Sequence, residues 1–189
     1  MSLNSDIKEA LDVLNNGGTI LYPTDTIWGI GCDATNGKAI ERVYHIKERM
    51  QEKSLIILVK DMDMLRKYVK EVPETAEELI ASIKEPLTII YPEARKLPGN
   101  LLASDGSIAI RIPSHEFCQE LLEAFGKPIT STSANVSGAA NPFSFSSVVQ
   151  PLKDAVDHIV PVRYQTLSRP KPSTIVKINP NGEIRVIRN

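Results

Sequence analysis

Short apolar runs separated by helical spacing constrain this chain most: "TILYP", "IWGIGC", "SLIILV", "LTIIY", "SIAIRIP" and "KPIT" read as strands. Between them, apolar residues recur at helical intervals. Ile7, Ala10, Leu11 and Leu14 share one face, with Ser5 or Asp6 as cap and Gly17-Gly18 as terminator. Ile40, Val43 and Tyr44 mark a second helix. Asp61 to Val69 and Glu74 to Lys84 give two more, Pro73 starting the latter, and Ser114 opens one carrying Phe117, Leu121, Leu122 and Phe125. "FSSVVQPLKDAV" is a weaker helix broken by Pro151, and "HIVPV" is a further strand. The tail "STIVKINPNGEIRVIRN" alternates on both sides of "NPNG", a hairpin signal. This order predicts an α/β fold: a single domain over residues 1–189, with a twisted mixed sheet and flanking helices. "SLIILV", apolar throughout, is expected to be covered on both faces.

Charge and cysteine usage narrow the function. A net charge of −1 exerts no global pull on nucleic acid or membrane, so an anion site must come from a local cluster of cations. No apolar run approaches the roughly 20 residues of a membrane helix, and the N-terminus lacks the basic and apolar regions of a secretory signal. Cys32 and Cys118 stand far apart with no metal spacing, which fits a reducing cytoplasm.

Five stretches could carry chemistry. In "YPTDTIWGIG", Asp25 can accept backbone N–H bonds and hold a turn, directing the hydroxyls of Thr24 and Thr26 into a cleft; a capped turn without a ligand explains it equally. "HIKERMQEK" places Lys47, Arg49 and Lys53 at a helix end, either as a solvated terminus suited to the helix dipole or as a polyphosphate clamp. Arg111 lies inside an apolar strand, where its charge needs an anion, either a protein carboxylate or a substrate. "PITSTSANVSG" supplies successive hydroxyls, as a turn or as the wall of an oxygen-binding pocket. Ser173 and Thr174 open a later strand, and Arg188 reads locally as a tail charge. "LSRPKPS" (167–173) is the best mobile segment.

Several familiar signatures are missing from the sequence. It has neither a GxxxxGK phosphate loop nor a GxGxxG. His45, His115 and His158 share no metal spacing, and no Ser-His-Asp pattern is readable. A hydrolase or an oxidoreductase therefore has little support.

Taken in order, these stretches resemble the YrdC-like family, the threonylcarbamoyl-AMP synthases of tRNA modification. The resemblance rests on "YPTDTIWGIG", Lys47-Glu48-Arg49, "AIRIPSH", Ser133-Ala134-Asn135 with Ser137-Gly138, and Ser173-Thr174, and it spans roughly residues 17 to 188. Each motif is unspecific; the ordered set is specific. The chain matches the short, single-domain form. The resemblance implies synthesis of threonylcarbamoyl-AMP from L-threonine, bicarbonate or CO2, and ATP, with release of pyrophosphate. A transferase complex would act downstream, moving the group to an adenosine beside the tRNA anticodon.

By the same resemblance, Lys47, Arg49, Ser133 and Asn135 form the catalytic set. ATP falls to Arg49, Lys53, Ser107, Ser133, Asn141 and Arg188, with Mg2+ sharing the pyrophosphate charge and no protein-only metal site. Threonine falls to Thr26, Arg111, Ser131 and Ser173. Direct contact with tRNA would use a local basic cleft. The chain departs from the family pattern at Trp28, Met50, Ser54 and Glu85, and Glu85 is expected to face solvent. Two other readings stand beside the synthase. One is a YciO-like paralogue, disfavoured because such paralogues tend to lose the asparagine that stands here as Asn135. The other is an RNA-binding module with a basic face, disfavoured by the net charge and by few aromatics beside cations.

Overall fold

The computed structural model describes residues 2–48, 55–136, 138–166, 171–179 and 181–189. Among the described residues, nine strands form one sheet in the order β7-β1-β2-β6-β3-β5-β4-β8-β9. They are β1 (Ile20–Tyr22), β2 (Gly29–Gly31), β3 (Ile56–Leu58), β4 (Leu87–Tyr91), β5 (Ile108–Arg111), β6 (Ile129–Ser133), β7 (His158–Ile159), β8 (Thr174–Ile178) and β9 (Ile184–Arg188). The pairs β1–β7, β3–β5 and β4–β8 are parallel and the others antiparallel, so the sheet is mixed, as the sequence predicts.

Side-chain alternation decides what each face meets. On one face Ile57, Ile110, Ile89 and Val176 form a continuous cross-strand row. Helices α2 (Gly37–Ile46), α3 (Met62–Leu65) and α4 (Glu74–Ser82) cover it through Ile40, Val43, Leu65 and Ala76. On the opposite face, α1 (Leu3–Asn15) and α5 (Glu116–Phe125) pack over Ile20, Tyr22, Leu58 and Ile129. Their coverage stops there. The next rung on that face, Ser131–Ile56–Ala109–Ile90, belongs to the cavity described below.

Several elements are shorter than their apolar pattern suggests. Helix α3 ends at Leu65, because the chain turns so that Val69 can bridge Ala94. Helix α4 stops at Ser82, and the strand within "HIVPV" is limited to β7. Pro151 does not break a helix: it lies in the first turn of α6 (Gln150–Ala155), where its missing N–H costs nothing. A separate 3-10 turn covers Phe145–Ser147. Ser114 does not cap α5, which begins one residue after His115.

The first helix is also anchored differently from expectation. Ser2, not Ser5 or Asp6, holds the N-cap position. Asp6 is fully buried and accepts bonds from the Arg163 guanidinium and the Tyr164 hydroxyl, tying α1 to the chain after β7. Burial opposes the Asp6 charge, but the Tyr164 and Arg163 bonds outweigh it and hold its pKa below the usual carboxylate value.

Close approach explains the glycines of β2. A Cβ on Gly31 would lie 2.4 Å from the Thr130 carbonyl oxygen and 2.8 Å from the Tyr22 ring. That ring crosses the strand so that its hydroxyl can donate to the same carbonyl at 3.0 Å.

Gly31→Ala is therefore expected to cost about 2 kcal/mol or more in urea unfolding. Gly99→Ala, with nothing within 4 Å of the new methyl, is expected to stay within about 0.5 kcal/mol. The folded pKa of Asp6 lies below its unfolded one, so its stabilisation is complete above the unfolded range and is lost as pH falls through the folded value. Asp6→Asn is expected to lower stability near neutral pH and to flatten the fall in stability below about pH 4, measured by urea unfolding across that range.

Candidate active site

The uncovered part of the sheet face is walled into a cavity of about 240 Å3. Its floor is the rung of Ser131, Ile56, Ala109 and Ile90, each opposite the next in register. Polar groups stand around that floor. Thr26 comes from the loop between β1 and β2, Arg111 from the end of β5 and Ser133 from the end of β6. Asn141 comes from the loop beyond β6, Ser173 from just before β8, and Arg188 from the edge strand β9. The volume is below the roughly 300–1,000 Å3 of drug-sized pockets and suits a guest of amino-acid size.

Arg111 is 4% exposed, and its charge is met by the carboxylate of Asp25, itself 10% exposed. The sequence left a protein carboxylate and a ligand as alternatives; the structure supplies the former while leaving Arg111 on the cavity wall. The other Asp25 oxygen accepts from the Ser114 amide at 3.2 Å and from its hydroxyl at 3.3 Å. Asp25 thus pins the β1–β2 loop to the end of β5. It does not hold its own turn, as expected from sequence. That task falls to Thr24, whose Oγ1 accepts from the Thr26 and Ile27 amides at 3.1 and 3.3 Å and donates to the Ile27 carbonyl at 2.8 Å.

Arg188 donates to the Ser173 carbonyl at 2.9 Å. Burial of its head group, and then the nearby charge of Arg111, lower its pKa. Two guanidinium groups therefore face one cavity, an arrangement that favours an anionic guest. Ser173 bonds Thr88 through their hydroxyls at 2.7 Å, and Thr88 stands opposite Arg111 in the sheet.

The hydroxyl run of β6 divides between core and cavity. Thr130 turns to the core side, where its Oγ1 accepts from the Cys32 amide at 2.9 Å. Ser131 and Ser133 share the cavity face. Thr132 also lines the cavity, so three of the four hydroxyl residues from Thr130 to Ser133 stand at its wall and Thr130 serves the structure.

Lys47 follows the last turn of α2 and is 1% exposed. Its Nζ donates to the carbonyls of Ser133 and Asn135 and, at 2.9 Å, to Asn135 Oδ1. Ser133 Oγ donates to the same Oδ1 at 2.6 Å, and Asn135 Nδ2 donates to the Ala139 carbonyl at 2.6 Å. Lys47 and Asn135 thus stand directly behind Ser133 and fix its loop without lining the cavity.

Of the residues expected from sequence, Thr26, Ser131, Ser133, Arg111, Asn141, Ser173 and Arg188 converge on the cavity. Ser107 does not: its amide and hydroxyl both donate to Asp105, in the turn before β5. Arg49 and Lys53 lie outside the described residues, as do Met50, Ser54 and residues 167–170 of the expected mobile segment. Glu85 is exposed. Trp28 is buried, donating from its indole to Gln165 at 2.7 Å. Sequence reasoning missed Thr88 and the floor residues Ile56, Ala109 and Ile90. Strand alternation placed them on a common face, but the point where helical cover ends is a tertiary property. Among the described residues, no group of three or more His, Cys, Asp or Glu could hold a metal ion, and no helix is long and apolar enough to cross a membrane.

Fold and cavity together define an α/β protein with a compact cationic and hydroxyl-rich site. A family model described as "Telomere recombination" (Sua5_yciO_yrdC) matches residues 12–189. A threonylcarbamoyl-AMP synthase of Vibrio cholerae is 37% identical over 178 residues, covering 93% of this chain and 94% of that one. Sua5 from P. abyssi, solved in complex with L-threonine, superposes with a TM-score of 0.82 at 29% identity, over 90% of this chain and 50% of that one. E. coli YciO superposes with a TM-score of 0.85 at 26% identity, over 100% of this chain and 90% of that one. The chain belongs to the Sua5/YciO/YrdC family.

Asp25→Ala would leave the Arg111 guanidinium buried without its carboxylate. It is expected to cost about 3 kcal/mol in urea unfolding, whereas Ser107→Ala is expected to leave the cavity's ligand affinity unchanged in calorimetry.

Proposed function

We propose that this chain is a threonylcarbamoyl-AMP synthase of tRNA modification. It combines L-threonine, bicarbonate and ATP into L-threonylcarbamoyl-AMP, pyrophosphate and water. The observation that carries the reading is the gathering of Arg111, Arg188 and the hydroxyls of Thr26, Ser131, Ser133 and Ser173 around one cavity. Relatives of that name match along almost the whole chain, and the nine-stranded sheet supports reading residues 1–189 as one domain.

In this reading Arg111 holds the threonine carboxylate, while Thr26, Ser131 and Ser173 close round the rest of the amino acid. Ser133, Asn141 and Arg188 meet the nucleotide, and Arg49 and Lys53 bind its phosphates. Ser107, turned to Asp105, has the weakest claim to such a contact. Lys47 places its charge behind the reacting centre and preorganises Ser133 through the Asn135 bonds. That intact Lys47–Ser133–Asn135 network favours the synthase over a YciO-like task.

The threonine nitrogen and bicarbonate first give a carbamate with loss of water. A carbamate oxygen then attacks the α-phosphorus, and the bond to the bridging oxygen of pyrophosphate breaks. Such a step needs positioned partners and neutralised charge more than a protein nucleophile. Mg2+ would enter with ATP and share the pyrophosphate charge. A threonylcarbamoyl transferase would consume the product in the cytoplasm, and tRNA could also reach the chain through its cationic cleft.

Pyrophosphate release is expected to require both L-threonine and bicarbonate, with the carbamoyl-adenylate detected by mass; equal release without threonine would overturn the reading. Arg49→Ala is expected to remove most of that activity, and a stability loss above about 3 kcal/mol would mark it instead as structural.

A further inference from the structure

Trp28 and Gln165 meet behind the cavity wall, and neither lines the cavity itself. Two N–H groups converge on one side-chain atom of Gln165: the Trp28 indole at 2.7 Å and the Phe145 backbone amide at 2.8 Å. Both can only donate, so the atom between them is the Gln165 carbonyl oxygen, and the orientation of that side chain is fixed. The rings of Trp28 and Phe145 complete the contact, with centroids 5.0 Å apart. Phe145 opens a 3-10 turn, where a backbone amide has no partner within the turn. The backbone of Trp28 holds the same loop nearer its start. Its amide donates to the Pro142 carbonyl at 3.2 Å, and its carbonyl accepts from the Ala134 amide at 2.8 Å. Asn141 stands between these anchors. It lines the cavity, and its side-chain amide has no hydrogen-bond partner among the described residues.

We infer that Gln165 is a positioning residue for the site: its one side-chain oxygen, by joining Trp28 to Phe145, fixes the loop from which Asn141 faces the guest. Asn141 belongs to no strand or helix, so its bearing depends on how the loop is attached. Trp28 and Gln165 attach it at Ala134, Pro142 and Phe145. The first two are backbone bonds, which a side-chain substitution leaves in place. The third depends on Gln165 alone. Without that oxygen, the Trp28 indole and the Phe145 amide would both stand part-buried and unpaired, and the loop would shift to satisfy them. The inference rests on the synthase reading in one respect, that the guest meeting Asn141 is ATP.

Calorimetry on the full chain, with ATP in the presence of Mg2+ and separately with L-threonine, tests this. Gln165→Leu keeps the bulk of the side chain and removes the acceptor. It is expected to weaken ATP binding about fivefold or more and to leave L-threonine within about twofold. Asn141→Ala is expected to weaken ATP by a similar factor. The double variant is expected to match Asn141→Ala alone within about twofold, because Gln165 acts through Asn141. Should Gln165→Leu fail to fold, Trp28→Phe takes its place in the same cycle, since it keeps a ring against Phe145 and removes the indole N–H. Unchanged ATP affinity in the folded variant overturns the inference, and so does an equal loss for L-threonine, which marks a general structural role. Losses that multiply in the double variant, or an Asn141→Ala protein that binds ATP as before, overturn it too, and in all these cases the synthase reading stands. If the unaltered chain binds neither ATP nor L-threonine, that reading fails and the inference falls with it.

Discussion

A guanidinium placed inside an apolar strand would be expelled or would unfold the strand unless an anion met it there. Asp25 meets Arg111 from another loop, and the other oxygen of the same carboxylate holds Ser114. One side chain thereby joins the segment between β1 and β2 to the segment between β5 and α5. The first carries Thr26 and the second directly follows Arg111, and both of those residues line the cavity. The pair is consequently more than a neutralised charge. It sets the spacing of two cavity-lining groups that are far apart in sequence, and it does so in surroundings where a broken partnership is costly.

The position of the cavity has a different origin. Every strand in the middle of the sheet has a core-facing row and an opposite row, and both could have been covered. The α1–α5 pair covers only the rows through Leu58 and Ile129. One rung further along, the same strands face an opening. Backbone hydrogen bonding and the packed opposite face hold that rung in place beneath the polar groups around it. Lys47 contributes from behind, holding the end of β6 through Ser133 and Asn135.

Much of this was legible in the residue order. Alternating apolar runs and helical faces gave the mixed α/β sheet, and the ordered motifs with the resemblance they carry named most of the cavity's polar groups. What sequence could not resolve was partner choice. Asp25 is a good turn residue by type, yet the turn is held by its neighbour Thr24, because the Arg111 charge across the fold makes a stronger claim on the carboxylate. Asp6 looked like a cap and is a buried anchor for Arg163 and Tyr164. Arg188 looked like a tail charge, and only the pairing of β8 with β9 brings it beside Ser173. In each case the residue type was read correctly, and a contact more than eighty positions away or across a hairpin decided its use.

The floor of the chamber consists of single residues from adjacent strands, so its depth is graded strand by strand. Serine, isoleucine, alanine and isoleucine stand side by side, and the smallest of these side chains is the lone methyl of Ala109. The size of the cavity is thereby set by other residues than its charge. A lineage could deepen or fill this hollow by exchanging one aliphatic group, leaving the guanidinium groups and hydroxyls of the rim untouched.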